Sequence, residues 1–219
     1  MDYILNTFLL LVGLVFLSYI LSSLWRSVFK GQNYSIIILP GVVIHELSHL
    51  IGCFITFAKV KDFKLFSFKG GYVRHKKPKL PIVGQPIISS APLFGGTFSL
   101  FLIYKLTGLR LPNFNFSLSF VVDILNIIRF NLTNYFFWIV IYLSVSILIS
   151  IIPSRKDFKN SIFNLLVLFA IFILIDNFFR VNNLTFFNSI INTLSFIFSV
   201  GILALLPSLL IYLLKSIFD

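Results

Sequence analysis

Three side chains that could carry out metal-assisted hydrolysis lie close together in the otherwise apolar segment PGVVIHELSHLIGC, residues 40–53. They are His45, Glu46 and His49, and Glu46 is the only glutamate in the chain. Positions i and i+4 share one face of an α-helix, so both imidazoles can bind one zinc ion, whose bonds to nitrogen are about 2.0–2.1 Å long. Glu46 would then lie beside the metal, where a carboxylate can take a proton from a water molecule.

The same three residues have a second interpretation that involves no metal. In that interpretation the histidines form hydrogen bonds to other helices, and Glu46 is protonated or reaches towards the membrane surface. The HExxH pattern is short, and it occurs by chance in many proteins. Its position in an apolar segment favours the metal, because a buried carboxylate alone would cost several kcal/mol there and a cation would offset its charge.

The third ligand is less clearly marked in the sequence. Catalytic zinc usually has three protein ligands and leaves one position open, and Asp157 is the leading candidate for the third. It follows Pro153 at the end of a predicted span, at a depth compatible with the two histidines. The alternative is a surface aspartate paired with Arg155 or Lys156.

Three other residues compete for this role. Asp176 lies deep in a predicted span and could bind metal, relay protons or contact another helix. Cys53 follows His49 by four positions, but three ligands from consecutive turns of one helix fit a tetrahedron poorly, so we expect a small buried thiol. It is also the only cysteine, which excludes an internal disulfide. His75 lies among lysines and is predicted to be a solvated loop residue.

The composition predicts that membrane-spanning helices position these residues. Of 219 residues, 58% are hydrophobic and 11% are charged, whereas soluble domains have about 25% charged residues. Apolar runs of about 18 or more residues are long enough to cross the hydrocarbon core. Six such runs occur, at residues 4–25, 36–57, 86–109, 135–152, 161–179 and 187–214. The predicted fold is therefore an all-α polytopic membrane protein with about six transmembrane helices.

The net charge of +11 is concentrated between the predicted spans. Eight of the 18 basic residues lie in the loop after the second span: Lys59, Lys61, Lys64, Lys69, Arg74, Lys76, Lys77 and Lys79. The positive-inside rule places this loop in the cytoplasm, where it would also attract anionic lipid. Alternating spans in a cell membrane then put both termini in the cytoplasm as well. This distribution argues against nucleic acid as a partner.

Three segments between and within the spans have patterns of their own. In residues 63–77, aromatic and β-branched residues flank Gly70 and Gly71, which predicts a short membrane-associated β-hairpin. The small residues of SSAPLFGG, residues 89–96, open the third span and would let neighbouring helices approach closely. Residues 110–134 have polar side chains spaced three apart among apolar ones, which predicts an amphipathic surface helix.

These motifs occur in the same order as in the site-2 protease family of intramembrane zinc metalloproteases, which this chain resembles over residues 36–160. HELSH resembles the zinc motif of the family, and AKVKDFKLFSFKGGYV (residues 58–73) resembles its re-entrant β-hairpin. SSAPLFGG resembles the start of the next core span, and SIIPSRKD (residues 150–157) resembles the segment that ends in the aspartate ligand. The chain departs from the family pattern at Phe158, where glycine is usual, and at Ser150, where asparagine is usual.

The resemblance implies a role for each candidate residue. His45, His49 and Asp157 would bind zinc, and Glu46 would activate water. The hairpin near residues 66–73 would offer a strand edge to an unwound substrate. The implied activity is zinc-dependent hydrolysis of peptide bonds in or near transmembrane segments of other membrane proteins.

The implied organisation is a single membrane-embedded metalloprotease domain, residues 1–219, with a core at 36–160 and flanking helices at 1–30 and 161–219. Two non-proteolytic interpretations stay open: a catalytically degenerate relative that binds membrane helices, and a metal-ion carrier. A carrier would need polar ligands spread along a path, whereas the polar outliers here concentrate at one level, apart from Asp176.

Overall fold

The computed structural model describes residues 2–29, 31–67, 70–108, 112, 114, 117–151 and 184–218. In these residues the chain is mostly helical, and its strands form one antiparallel hairpin. The helices are α1 (Asp2–Val28), α2 (Gln32–Ile37), α3 (Leu39–Ile55), α4 (Pro81–Thr107), α5 (Leu118–Phe130), α6 (Tyr135–Ser150) and α7 (Leu184–Phe218). The strands are β1 (Val60–Lys64) and β2 (Tyr72–His75). The predicted helical fold with a hairpin after the second predicted span is confirmed.

Two helices in the described residues are long and apolar enough to cross a membrane, α4 and the part of α7 at Ile191–Ile217. Three shorter apolar helical stretches accompany them, at Val12–Val28, Leu39–Ile55 and Tyr135–Ser150. These helices indicate that the chain associates with a membrane, but the prediction of six spans is not confirmed. The predicted span at 161–179 lies outside the described residues.

The helix boundaries differ from the predicted runs in two places. The run at 36–57 is divided at Ile38 into the short helix α2 and the longer α3. Helix α4 begins at Pro81, five residues before the predicted start, so SSAPLFGG lies inside the helix and not at its beginning. Hydropathy placed this start too late because Gln85 interrupts the apolar run. The helix can begin at Pro81 because the N–H groups of a first turn have no partner within the helix, so proline loses no hydrogen bond there.

The predicted amphipathic helix within residues 110–134 is confirmed as α5. Ser117 caps its N-terminus, because the side-chain oxygen accepts a hydrogen bond from the Phe120 N–H at 3.2 Å. The polar residues spaced three apart along α5 are exposed, whereas Phe120 and Ile124 are buried. The helix therefore buries one apolar edge, whereas Val121, Val122 and Leu125 are exposed together with the polar residues.

Helix α3 lies between α4 and α6 and contacts both closely. Gly52 faces α4, where a Cβ at this position would lie 3.1 Å from both the Ala91 Cβ and the Ile88 Cα. Gly41 faces α6, where a Cβ would lie 1.9 Å from the carbonyl oxygen of Ser146. These close approaches need glycine, and they bring the backbones of two helices within reach of α3 side chains.

The first and last helices, α1 and α7, pack side by side in the same direction. Gly13 lies against Phe198, and further along both helices Trp25 Nε1 donates a 2.8 Å hydrogen bond to Ser208 Oγ. At the end of α1, two carbonyl groups accept hydrogen bonds from Lys215 Nζ at 2.9 and 2.8 Å. Six alternating crossings would make the first and last helices antiparallel. The parallel pair therefore disagrees with a prediction of six complete spans and both termini on one side.

Candidate metal centre

The two histidines of HELSH lie on one face of α3. His45 Nε2 and His49 Nε2 are 3.2 Å apart. The ring planes are nearly perpendicular, at 77°, with the ring centroids 4.8 Å apart. The structure thus brings together the two nitrogens that the i, i+4 spacing places on one face of the helix.

The other nitrogen of each ring contacts a backbone carbonyl of a neighbouring helix. His45 Nδ1 is hydrogen-bonded to the carbonyl oxygen of Ser150 at the end of α6, and His49 Nδ1 lies 2.8 Å from that of Ile88 in α4. A carbonyl oxygen only accepts hydrogen bonds, so each Nδ1 carries the proton and donates. When both rings are neutral, both Nε2 atoms are then acceptors, and two acceptors form no hydrogen bond with each other. A cation between them, either a proton or a metal ion, explains why they lie only 3.2 Å apart.

The separation of the Nε2 atoms fits a shared metal ion. Two nitrogens that each lie about 2.0–2.1 Å from one tetrahedral zinc ion are about 3.4 Å apart. The observed distance is 3.2 Å, so both rings could bind one ion with little movement. Histidines that bind metals usually donate their second nitrogen to a carbonyl or carboxylate, which fixes the tautomer, and both rings here do so.

Glu46 follows His45 on α3 and is buried, with 8% of its surface exposed. The loop that joins β1 to β2 lies over it. A Cβ placed on Gly71 would be 2.4 Å from Glu46 Cγ and 2.8 Å from the carbonyl oxygen of Leu65. Gly71 therefore lets the loop backbone rest directly on the Glu46 side chain, next to the histidine pair.

Replacing Gly71 by alanine should displace Glu46 or lift the loop, because the added methyl group has no room. If Glu46 acts on a substrate, a displacement of about 1 Å should slow the reaction by about 100-fold. Zinc content, measured on the same sample, should be unchanged because no metal-binding nitrogen is touched. Tyr72→Phe is the control, since it changes the next residue on the hairpin surface. Equal cleavage rates for Gly71→Ala and wild type would refute this positioning.

The hairpin is attached to the end of α3 by apolar contacts. Val60 of β1 and Val73 of β2 pack against a buried cluster that contains Cys53 and Ile88. Cys53 is fully buried, in agreement with the predicted small buried thiol. Val60–Lys64 pairs with Tyr72–His75, so among the described residues of the expected strand edge at 66–73 only Tyr72 and Val73 belong to a strand.

The hairpin also carries polar contacts of its own. The hydroxyl group of Tyr72 donates a 2.8 Å hydrogen bond to Asp62 Oδ2, and this bond raises the pKa of Tyr72. His75 lies in β2, with its Nδ1 2.8 Å from the carbonyl oxygen of Lys76. His75 is thus half-buried in a strand, whereas the sequence predicted a solvated loop residue.

The structure brings together His45, His49 and Glu46 but does not place the third candidate ligand. Asp157 and its rival Asp176 both lie outside the described residues. Among the described residues, no group of three or more histidine, cysteine, aspartate or glutamate side chains could hold a metal ion. The structure thus pairs the Nε2 atoms of His45 and His49 and buries Glu46 on the same helix, and the roles of all four residues stay predictions.

Sequence reasoning missed the backbone groups that orient the two rings. The acceptors are the carbonyl oxygens of Ser150 and Ile88. The sequence signal for one of them is Pro92, which has no N–H to donate to the Ile88 carbonyl. Sequence reasoning also missed the position of Gly71 over Glu46, because the Gly-Gly pair indicated only a turn.

Comparisons of this chain with protein-family models, with curated proteins and with solved structures found no match. What the chain does must therefore be inferred from the geometry of the histidine pair, from Glu46 and from the motif order.

Proposed function

We propose that the protein is an intramembrane zinc metalloprotease. One observation carries the proposal: His45 Nε2 and His49 Nε2 lie 3.2 Å apart, each on a ring held by a backbone carbonyl, with the buried Glu46 beside them. Two oriented imidazoles with a glutamate one position along the same helix are the HExxH arrangement of zinc peptidases, in which the histidines bind zinc and the glutamate is the general base. The resemblance of residues 36–160 to site-2 proteases supports the same activity.

In this proposal His45 and His49 hold zinc through their Nε2 atoms, and Asp157 supplies the third ligand. Asp157 follows Ser150 by seven residues, and seven residues span at most about 25 Å. Because the Ser150 carbonyl contacts His45, the Asp157 carboxylate is within reach along the chain. Two imidazoles and a carboxylate oxygen suit zinc.

A bound zinc ion supplies Lewis acidity, which activates water and polarises a peptide carbonyl. Glu46 acts as the general base and accepts a proton from water at a carboxylate oxygen. It then returns that proton to the nitrogen of the departing amine, as a general acid. The loop over Glu46 shields the carboxylate from bulk solvent, so that the proton moves between defined partners.

The proposed substrate is another membrane protein, cleaved in or near a transmembrane segment. A helical substrate must release backbone hydrogen bonds before a peptide carbonyl can approach the site. The hairpin could receive the released backbone as an added strand, and Gly71, the residue before β2, lies against Glu46. The proposed location is the lipid bilayer of a cell membrane, with the basic hairpin facing the cytoplasm.

The decisive experiment compares zinc affinity and cleavage in wild type, Asp157→Ala and, as a matched control, Asp176→Ala. We expect one zinc ion per chain in wild type, and cleavage of single-span substrates in detergent or vesicles. Asp157→Ala should lose zinc and activity, whereas Asp176→Ala should keep both. The reverse pattern would move the third ligand to Asp176.

Three outcomes would overturn the proposal and not merely the ligand assignment. Wild-type protein that binds no zinc would remove the metal centre. Stoichiometric zinc without cleavage of any substrate would favour a relative that binds membrane helices. Zinc transport into sealed vesicles would favour a metal-ion carrier.

A further inference from the structure

The carbonyl group of Ile88 lies inside α4, where its usual hydrogen-bond donor is missing. In an α-helix each carbonyl accepts from the N–H four residues later. Position 92 is proline, one of two prolines inside this helix, and proline has no N–H. The sequence of α4 thus leaves the Ile88 carbonyl without its normal partner in the helix.

His49 takes the place of that donor. Its Nδ1 lies 2.8 Å from the Ile88 oxygen, which is a normal distance for a hydrogen bond from nitrogen to oxygen. The ring can reach the backbone because Gly52, one turn further along α3, allows close contact, with only 3.1 Å between its hypothetical Cβ and the Ile88 Cα. The bond fixes the proton of His49 on Nδ1 and directs Nε2 towards His45.

We propose that Pro92 is a positioning residue for His49, which acts by releasing the Ile88 carbonyl to orient the imidazole for metal binding. This inference rests on the proposed zinc site, and it adds a residue that neither HELSH nor the hairpin contains. A proline inside a membrane helix is tolerated where a neighbouring helix satisfies the released carbonyl. In this site the neighbour is the metal-binding ring itself.

The second histidine obtains its acceptor in a different way. His45 donates to the carbonyl of Ser150, the last residue of α6, and the last four carbonyls of a helix have no partner within it. One ring therefore uses a helix end and the other uses a proline inside a helix. Only the orientation of His49 depends on a single residue, Pro92, that can be replaced by mutation.

The chain contains a matched control in the same helix. Pro86 also lies inside α4, and it removes the donor for the carbonyl of Ile82. Ile82 lies near the start of the helix, and 80% of its side chain is exposed. Pro86→Ala therefore restores an N–H to α4 without restoring a competitor for the bond to His49.

The experiment measures zinc affinity by chelator competition in detergent for wild type, Pro92→Ala and Pro86→Ala. In Pro92→Ala the new N–H competes with His49 for the Ile88 oxygen, so we expect an affinity loss of about 10-fold, the lower end of the effects of outer-shell partners. Pro86→Ala should bind zinc as wild type does. Nitrogen NMR of the metal-free protein should show His49 protonated at Nδ1 in wild type and as a tautomer mixture in Pro92→Ala.

Wild-type affinity and an unchanged tautomer in Pro92→Ala would overturn the inference while leaving the zinc site in place. A wild-type chain that binds no zinc would instead remove the proposed function itself. Should Pro92→Ala fail to fold, Gly52→Ala tests the same bond, because its methyl group pushes the Ile88 backbone away from α3. Unchanged zinc affinity in a folded Gly52→Ala variant would count against the bond.

Discussion

Replacing Glu46 by glutamine should lower the rate of substrate cleavage by about 10²–10⁴-fold, the usual contribution of a general base, and leave zinc bound. Glutamine has almost the same shape, so the loop that rests on position 46 can keep its place. The amide cannot accept a proton from water, so the first proton transfer is lost. His45 and His49 are unchanged, and metal analysis of the purified variant should match wild type.

Glu46→Asp is the natural comparison, since it keeps a carboxylate but withdraws it by one methylene group. We expect an intermediate rate, because the base is present but misplaced. Both variants should be assayed on the same reconstituted substrate, with thermal melting to show that the buried position is still folded. Cleavage by Glu46→Gln at the wild-type rate would show that another group, or none, removes the proton.

Replacing His49 by alanine should abolish zinc binding and, with it, cleavage. The change removes one of the two nitrogens that face each other across 3.2 Å. It also leaves the Ile88 carbonyl without its hydrogen-bond donor. Loss of a direct ligand should exceed the 10–100-fold effect of outer-shell partners, so we expect zinc affinity to fall by more than about 100-fold. Dialysis against a weak chelator followed by metal analysis would measure the loss.

His75→Ala provides the matched control, as the only other histidine in the chain. It lies in β2 on the hairpin, with its Nδ1 near the Lys76 carbonyl, so its removal should leave zinc content and cleavage unchanged. Zinc retained by His49→Ala and lost by His75→Ala would place the metal at the hairpin and reject the site on α3.

The sequence predicted the histidine pair because helix geometry is local. Any helix over residues 40–53 puts His45 and His49 on one face, whatever surrounds it. The hairpin was predicted for a similar reason, since Gly70 and Gly71 provide a turn whose conformation depends on neighbouring residues. The structure has Gly70 at a φ of +99°, where glycine is favoured.

Contacts between distant segments could not be predicted in this way. The loop backbone at Gly71 covers Glu46 because Val60 and Val73 attach the hairpin to the end of α3, and no local pattern encodes that attachment. Hydropathy also could not predict that α7 runs parallel to α1, because an apolar run gives the length of a helix but not its direction.

The contact between Gly71 and Glu46 has a mechanical consequence for the proposed enzyme. In that proposal, a peptide that adds to the hairpin would bind next to Gly71, whose backbone covers the carboxylate. Substrate binding would then also expose Glu46 to water, and the general base would stay shielded from solvent while no substrate is bound. Such a membrane-embedded hydrolase would activate water only after a substrate strand has bound to the hairpin.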